Sequence, residues 1–119
     1  MRQSRSYDDC PTEELIRLYE RAASEHGQAH GPAGNPAADR VAAIYRVIRS
    51  RGLEHQKKLL PLLLSGDIGV RSWAAAHALE FEPRQGEAIL LDIAKLKGFK
   101  GFSAEMTLKV WREGSLRFP

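Results

Sequence analysis

Apolar positions recur along this chain with the spacing of helix faces, and they divide it into six segments. Leu15, Leu18, Tyr19, Ala22 and Ala23 fall at i, i+3, i+4, i+7 and i+8, one stripe of a helix that begins near Thr12 and fades at Gly27. Thr12 is expected to cap it, with Glu13 and Glu14 favouring its positive end. Val41, Ile44, Tyr45 and Ile48 form a second stripe, entered through Asn35-Pro36 and stopped by Gly52. A third segment runs roughly from Leu53 to Ser65, with Leu59, Leu60, Leu62, Leu63 and Leu64 directed at the core. Pro61 inside it predicts a kink or a later start. Gly66-Asp67 makes a turn, and Asp67 caps a fourth helix that reaches about Phe81. Pro83 opens a fifth, through about Lys97, carrying Ile89, Leu90, Ile93, Ala94 and Leu96. Ser103 is the expected cap of the sixth, where Met106, Thr107, Val110 and Trp111 share a face, Leu108 lies to one side, and Gly114 ends the helix.

The fourth segment differs from the others. Val70, Trp73, Ala74, His77, Ala78 and Phe81 occupy one broad face, while Ala75 and Leu79 occupy much of the other. Only Ser72, Ala76 and Glu80 mark an exposed strip. A helix apolar nearly all round lies between neighbours, so it belongs in the middle of a stack. A shift of 29 residues aligns Leu60 with Ile89, Leu62 with Leu91, Leu64 with Ile93, Ala75 with Ala104 and Leu79 with Leu108. One offset serving both helices of a hairpin predicts a repeat, in which no unit buries its apolar face alone.

Composition narrows the class. With 119 residues, 43% of them hydrophobic, the chain is expected to form a single domain over 1–119. Residues 1–11 are read as an N-terminal arm, 27–35 as a flexible breaker-rich loop and 115–119 as a tail. The longest apolar run, Leu59 to Leu64, is far short of the ~20 residues of a membrane span, and the N-terminus lacks the apolar core of a secretory signal. Cys10 is the only cysteine, which excludes an intrachain disulfide and fits a reducing cytoplasm. A net charge of +3 permits an acidic or nucleic-acid partner without demanding one.

Over residues 59–81 the sequence resembles a HEAT repeat. That family pairs a leucine-rich first helix, often with an internal proline, with an Asp-x-x-Val-Arg turn into an alanine-rich second helix. Leu59-Leu60-Pro61-Leu62-Leu63 corresponds to the first part, and Asp67, Val70, Arg71, Ala74 and Ala75 to the second. Ala78-Leu79 falls one position later than the family's Ala-Leu pair. The segments Trp73–Phe81 and Ala104–Leu116 are also similar to a small bacterial family of HEAT/armadillo-like proteins with no assigned function. The resemblance implies an all-α fold, a right-handed α-α superhelix of about three HEAT-like hairpins. It implies structural roles for Asp67, as a cap, and for Arg71, as a side chain reaching a neighbouring turn.

Candidate chemistry is sparse. His26 and His30 are four apart, but Gly27 breaks the helix between them and no third ligand completes a metal site. No phosphate loop, nucleophile elbow or paired catalytic carboxylates occur, so neither enzyme activity nor a cofactor is expected. Trp73 and His77 share a face one turn apart, either as core or as a recognition patch with Glu80 at its rim. Because second helices normally line the concave side of such stacks, Arg46, Trp73, His77, Glu80, Lys109 and Arg112 are the expected contacts for a protein partner. The expectation is a non-catalytic interaction module, a small bacterial adaptor or an immunity-type protein masking a toxin, without a membrane partner. The alternative is nucleic-acid binding through the arginines of the second helix and Lys95, Lys97, Lys100, Lys109 and Arg112.

Overall fold

A computed structural model describes residues 6–28 and 36–118, and every regular element within them is helical. The fold is all-α. A single 3-10 turn, Tyr7–Asp9, precedes α1 (Thr12–Gln28) and α2 (Pro36–Ser50); α3 (Leu53–Gln56) runs directly into 3-10 turns over Lys57–Leu64. Then follow α4 (Ile68–Phe81), α5 (Pro83–Ala94) and α6 (Phe99–Arg112). His30, the Asn35 cap, most of the expected 27–35 loop, the first five residues of the arm and Pro119 lie outside the described residues.

Helix α4 occupies the centre, as its all-round apolar pattern predicts. It packs against α1, α5 and the 3-10 turns, and more lightly against α6. Asp67 caps it as expected: Oδ1 accepts from the amides of Gly69 and Val70 at 2.8 and 3.2 Å. The same carboxylate accepts from Ser24 Oγ at 2.6 Å, which ties the start of α4 to α1. Arg71 donates to the Ser65 carbonyl at 2.8 Å, so it braces its own turn rather than a neighbouring one.

Two helices approach the α4 backbone through glycine. A Cβ on Gly69 would lie 2.8 Å from the Ala23 carbonyl oxygen and 2.9 Å from Gly27 Cα, both on α1. A Cβ on Gly86 of α5 would lie 2.6 Å from the Ala75 carbonyl oxygen and 2.9 Å from the Leu79 nitrogen. Side chains are absent at these crossings because none fits. Gly27, expected to end α1, is therefore helical and part of the α1–α4 contact.

Several sequence expectations change. The Thr12 hydroxyl does not cap α1, because the first bond of the helix is accepted by Pro11 from Leu15; it lies 2.8 Å from His55 Nδ1 and accepts from Arg51. Leu64 is 84% exposed instead of core-facing. The 3-10 turns repeat every three residues. Gln56, Leu59 and Leu62 therefore line one buried row, and Lys58, Pro61 and Leu64 line the exposed one. Helix α5 stops at Ala94, short of Lys97, where the chain tightens to i→i−3 bonds before Gly98 takes a positive φ of 92°. Helix α6 begins at once at Phe99, leaving Ser103 inside it. Its buried row is Gly101, Ala104 and Leu108; Met106 points outward. Small residues at 101 and 104 let that side lie closest to α5, and a Cβ on Gly101 would collide with the Leu96 carbonyl. Gly114 ends the helix as expected, at φ 78°.

Gly86→Ala should destabilise the fold by ~1–3 kcal/mol, as overpacking against backbone does. Gly66→Ala, with nothing within 4 Å of the new methyl, should stay within ~0.5 kcal/mol of the parent. Urea midpoints compared at constant m-value test the pair, and equal losses at the two sites would contradict backbone contact at Gly86.

Candidate functional site

The chemistry-bearing side chains of the N-terminal half converge on one face of α4. Tyr19 on α1 and Tyr45 on α2 sit on apolar stripes and are fully buried, so their hydroxyls need partners inside the protein. Tyr19 Oη lies 2.7 Å from His77 Nδ1. With His77 neutral, one assignment that satisfies both groups has the hydroxyl donating to Nδ1 and the imidazole proton on Nε2. The Tyr45 ring stacks on His77, with centroids 3.8 Å apart and planes 5° from parallel. Its hydroxyl donates to Glu80 and accepts from buried Gln56 at 2.9 Å. Arg49 donates to the other Glu80 oxygen at 3.0 Å, and its guanidinium carbon lies 5.7 Å from the Tyr45 centroid. Half-buried Trp73 adds a third ring 5.6 Å from His77 and donates from Nε1 to His26 Nδ1 at 3.1 Å.

Burial sets the charge state of this cluster. It pushes His77 from the ordinary 6.5 down to about 3, with Arg49 acting weakly in the same direction. His26 is lowered by burial and then by Lys100, whose ammonium donates to the Gly27 carbonyl at 2.6 Å. Tyr19 and Tyr45 are both held well above the usual phenol range, chiefly by desolvation; the bond to Glu80 adds to the effect at Tyr45. The rings are therefore neutral at neutral pH, and the cluster is a satisfied polar core.

The six expected contact residues are not equivalent in the structure. His77 is core, 3% exposed, and cannot meet a partner directly. Glu80 serves Tyr45, Arg49 and Gln56. Trp73 is half-buried and its N–H is spent on His26. Arg46 is exposed on α2. Lys109 and Arg112 are exposed on α6, where Arg112 donates to Glu87 of α5 at 2.9 Å. Trp73, His77 and Glu80 thus belong to one cluster on α4, and Arg112 belongs to the α5–α6 surface. The sequence reading missed the link from Gln56 through Tyr45 to Glu80. Two tyrosines on buried stripes opposite a lone histidine were the available signal, since each hydroxyl required a polar mate.

A concavity lies between the 3-10 turns and α5. It encloses about 500 Å³ lined by Leu63, Leu64, Ile89, Ile93 and Leu96, with Arg71 and Asp92 among its polar walls. Leu64 and Leu96, 84% and 46% exposed, supply apolar surface to it. Among the described residues, no group of three or more His, Cys, Asp or Glu side chains is arranged to hold a metal ion. No family model matches this chain, and neither a curated protein nor a solved structure is detectably similar to it.

A histidine held neutral by burial makes stability depend on pH. Below about 6.5 the unfolded chain binds a proton that the folded chain refuses. The contribution of His77 is thus complete above that pH and is lost, by up to ~1.4 kcal/mol per pH unit, as pH falls toward the folded value of about 3. His26 acts in the same direction. Chemical denaturation between about pH 7 and 5, above most carboxylate titration, should show this slope. The double variant Tyr19→Phe/His77→Phe, which removes both partners, should flatten it; a slope unchanged in that variant would exclude a neutral buried His77.

Proposed function

We propose that this chain is a non-catalytic, HEAT-like helical-hairpin module that binds a protein partner, as a small adaptor or immunity-type protein would. The observation that carries this reading is the groove beside α5. Leu64 projects into solvent from a row that the 3-10 geometry turns away from the core, and the adjoining hollow has room for one or two apolar side chains of another protein. Arg71 and Asp92 give its walls both signs of charge, which suits a mixed polypeptide surface.

Packing supports the repeat-like part of the proposal. The α1–α2 and α5–α6 pairs and the 3-10 turns with α4 form three successive helical units, and α4 bridges them. Whether they wind as a right-handed superhelix belongs to the same proposal. A cytoplasmic setting suits Cys10, a buried free thiol.

On the α2 side, observations weigh against nucleic acid as the partner. Of the α2 arginines, Arg40 bonds Glu25 and Arg49 bonds Glu80, while Arg51, just beyond the helix, bonds Thr12 and the Asp8 carbonyl. Arg46 alone of this group projects into solvent as an exposed residue. A stripe whose cations are engaged internally has little charge left for phosphates.

Affinity purification from the native cell should recover one stoichiometric protein with this chain. Leu64→Asp should release that protein by about tenfold or more in affinity, a loss typical of a hot-spot anchor, while Arg112→Glu leaves it bound. Loss of the partner on Arg112→Glu with indifference to Leu64→Asp would move the contact to the α5–α6 face, and salt-labile retention of nucleic acid without a protein would reject the reading.

A further inference from the structure

The register of α6 leaves an apolar ridge on its outer side. Gly101, Ala104 and Leu108 face the core. Phe99, Phe102 and Met106, spaced by three and four, stand on the opposite side and are 79%, 57% and 37% exposed. Leu96, in the turn just before, is exposed as well. Leu96 also lines the groove described above, whereas Phe99, Phe102 and Met106 stand outside it.

Charge is concentrated on the same segment. Residues 95–112 hold five cations, Lys95, Lys97, Lys100, Lys109 and Arg112, against one anion, Glu105, a net of +4. The whole chain totals +3, which leaves −1 for everything else. Lys100 and Arg112 are spent on the Gly27 carbonyl and Glu87, and Lys95 sits 3.6 Å from Asp92. Lys97 lies before the ridge, and Lys109 follows Met106 by three positions, so cations flank the apolar stripe at both ends; Glu113 lies beyond.

We propose that the outer face of α6 docks on an anionic lipid bilayer. A row of exposed phenylalanines bordered by lysines matches the interfacial mode, in which apolar side chains enter the acyl boundary and cations meet the headgroups. The excess of positive charge on residues 95–112 selects an anionic surface, and the exposed phenylalanines select one with an apolar interior. Such docking is peripheral: none of the described helices is long and apolar enough to cross a membrane.

Co-sedimentation of the intact chain with vesicles tests this directly. Vesicles of phosphatidylcholine with phosphatidylserine should bind it, and phosphatidylcholine alone should bind about tenfold or more weakly. Phe99→Ser/Phe102→Ser and Lys97→Glu/Lys109→Glu should each weaken binding by about tenfold or more, because both apolar insertion and charge contribute. Both pairs replace exposed residues, and unchanged circular dichroism confirms the fold. Leu64→Asp should leave vesicle binding unaltered, which separates this surface from the groove. Failure to bind anionic vesicles, indifference to either α6 pair, or loss of binding on Leu64→Asp would overturn the proposal. A dimer in light scattering that the phenylalanine pair dissociates would also overturn it, since a second copy would then cover the ridge.

Discussion

Close approach at α4 is the constraint on which the rest of the structure depends. Helices with ordinary side chains between them pack ~8–10 Å apart; glycine and alanine at a crossing allow backbones to meet. Here α1 meets α4 at Ala23, Gly27 and Gly69, and α5 meets it at Gly86 across Ala75 and Leu79. With neighbours on both flanks, α4 has little solvent left for a polar group on the faces turned toward them. His77, in its third turn, is consequently buried and neutral.

A buried neutral imidazole imposes requirements on its surroundings. Its Nδ1 needs a donor, and Tyr19 supplies one from α1. Its ring needs a flat partner, and Tyr45 supplies one from α2. Tyr45 then needs an acceptor and finds Glu80, whose carboxylate is in turn held by Gln56 and Arg49. Each bond is modest by itself, about 1 kcal/mol net, but a half-satisfied network would leave polar groups stranded in low dielectric. Any slip of α1 or α2 along α4 breaks several at once. Small residues thus set how near the helices lie, and the polar core sets their register.

Much of this architecture is visible in the residues before any coordinates. The 3.6 period marks α1, α2 and α5, the all-round apolar pattern marks α4, and the Asp67 cap sits where an acidic residue precedes a helix. What fails does so for identifiable reasons. Helical spacing was applied to Leu59–Leu64, but Pro61 and the turns around it run at a period of three, which reverses Leu64. On α6 the spacing groups Met106, Thr107, Val110 and Trp111 on one face, whereas the buried row is Gly101, Ala104 and Leu108, because small residues permit close contact. The site is less legible than the fold. Tyr45 reads as an apolar stripe position and Glu80 as a surface charge; only their meeting across 35 residues shows that each completes the other.

That distribution of side chains separates the two halves of the molecule. Isolated exposed apolar residues are common and uninformative. Here Leu64, Leu91, Leu96, Phe99, Phe102 and Met106 account for all but one of the large exposed apolar residues among those described, and Leu53 is the exception. The N-terminal half, by contrast, buries Tyr19 and Tyr45 and ties Arg40, Arg49 and Arg51 to carboxylates or backbone. A core short of apolar material would draw Phe99 and Phe102 inward; instead the α5–α6 contact is made by glycine, alanine and leucine, with both phenylalanines outside. The half that holds the polar core therefore closes over its own side chains, and the half that ends in α6 carries most of the exposed apolar surface among the described residues.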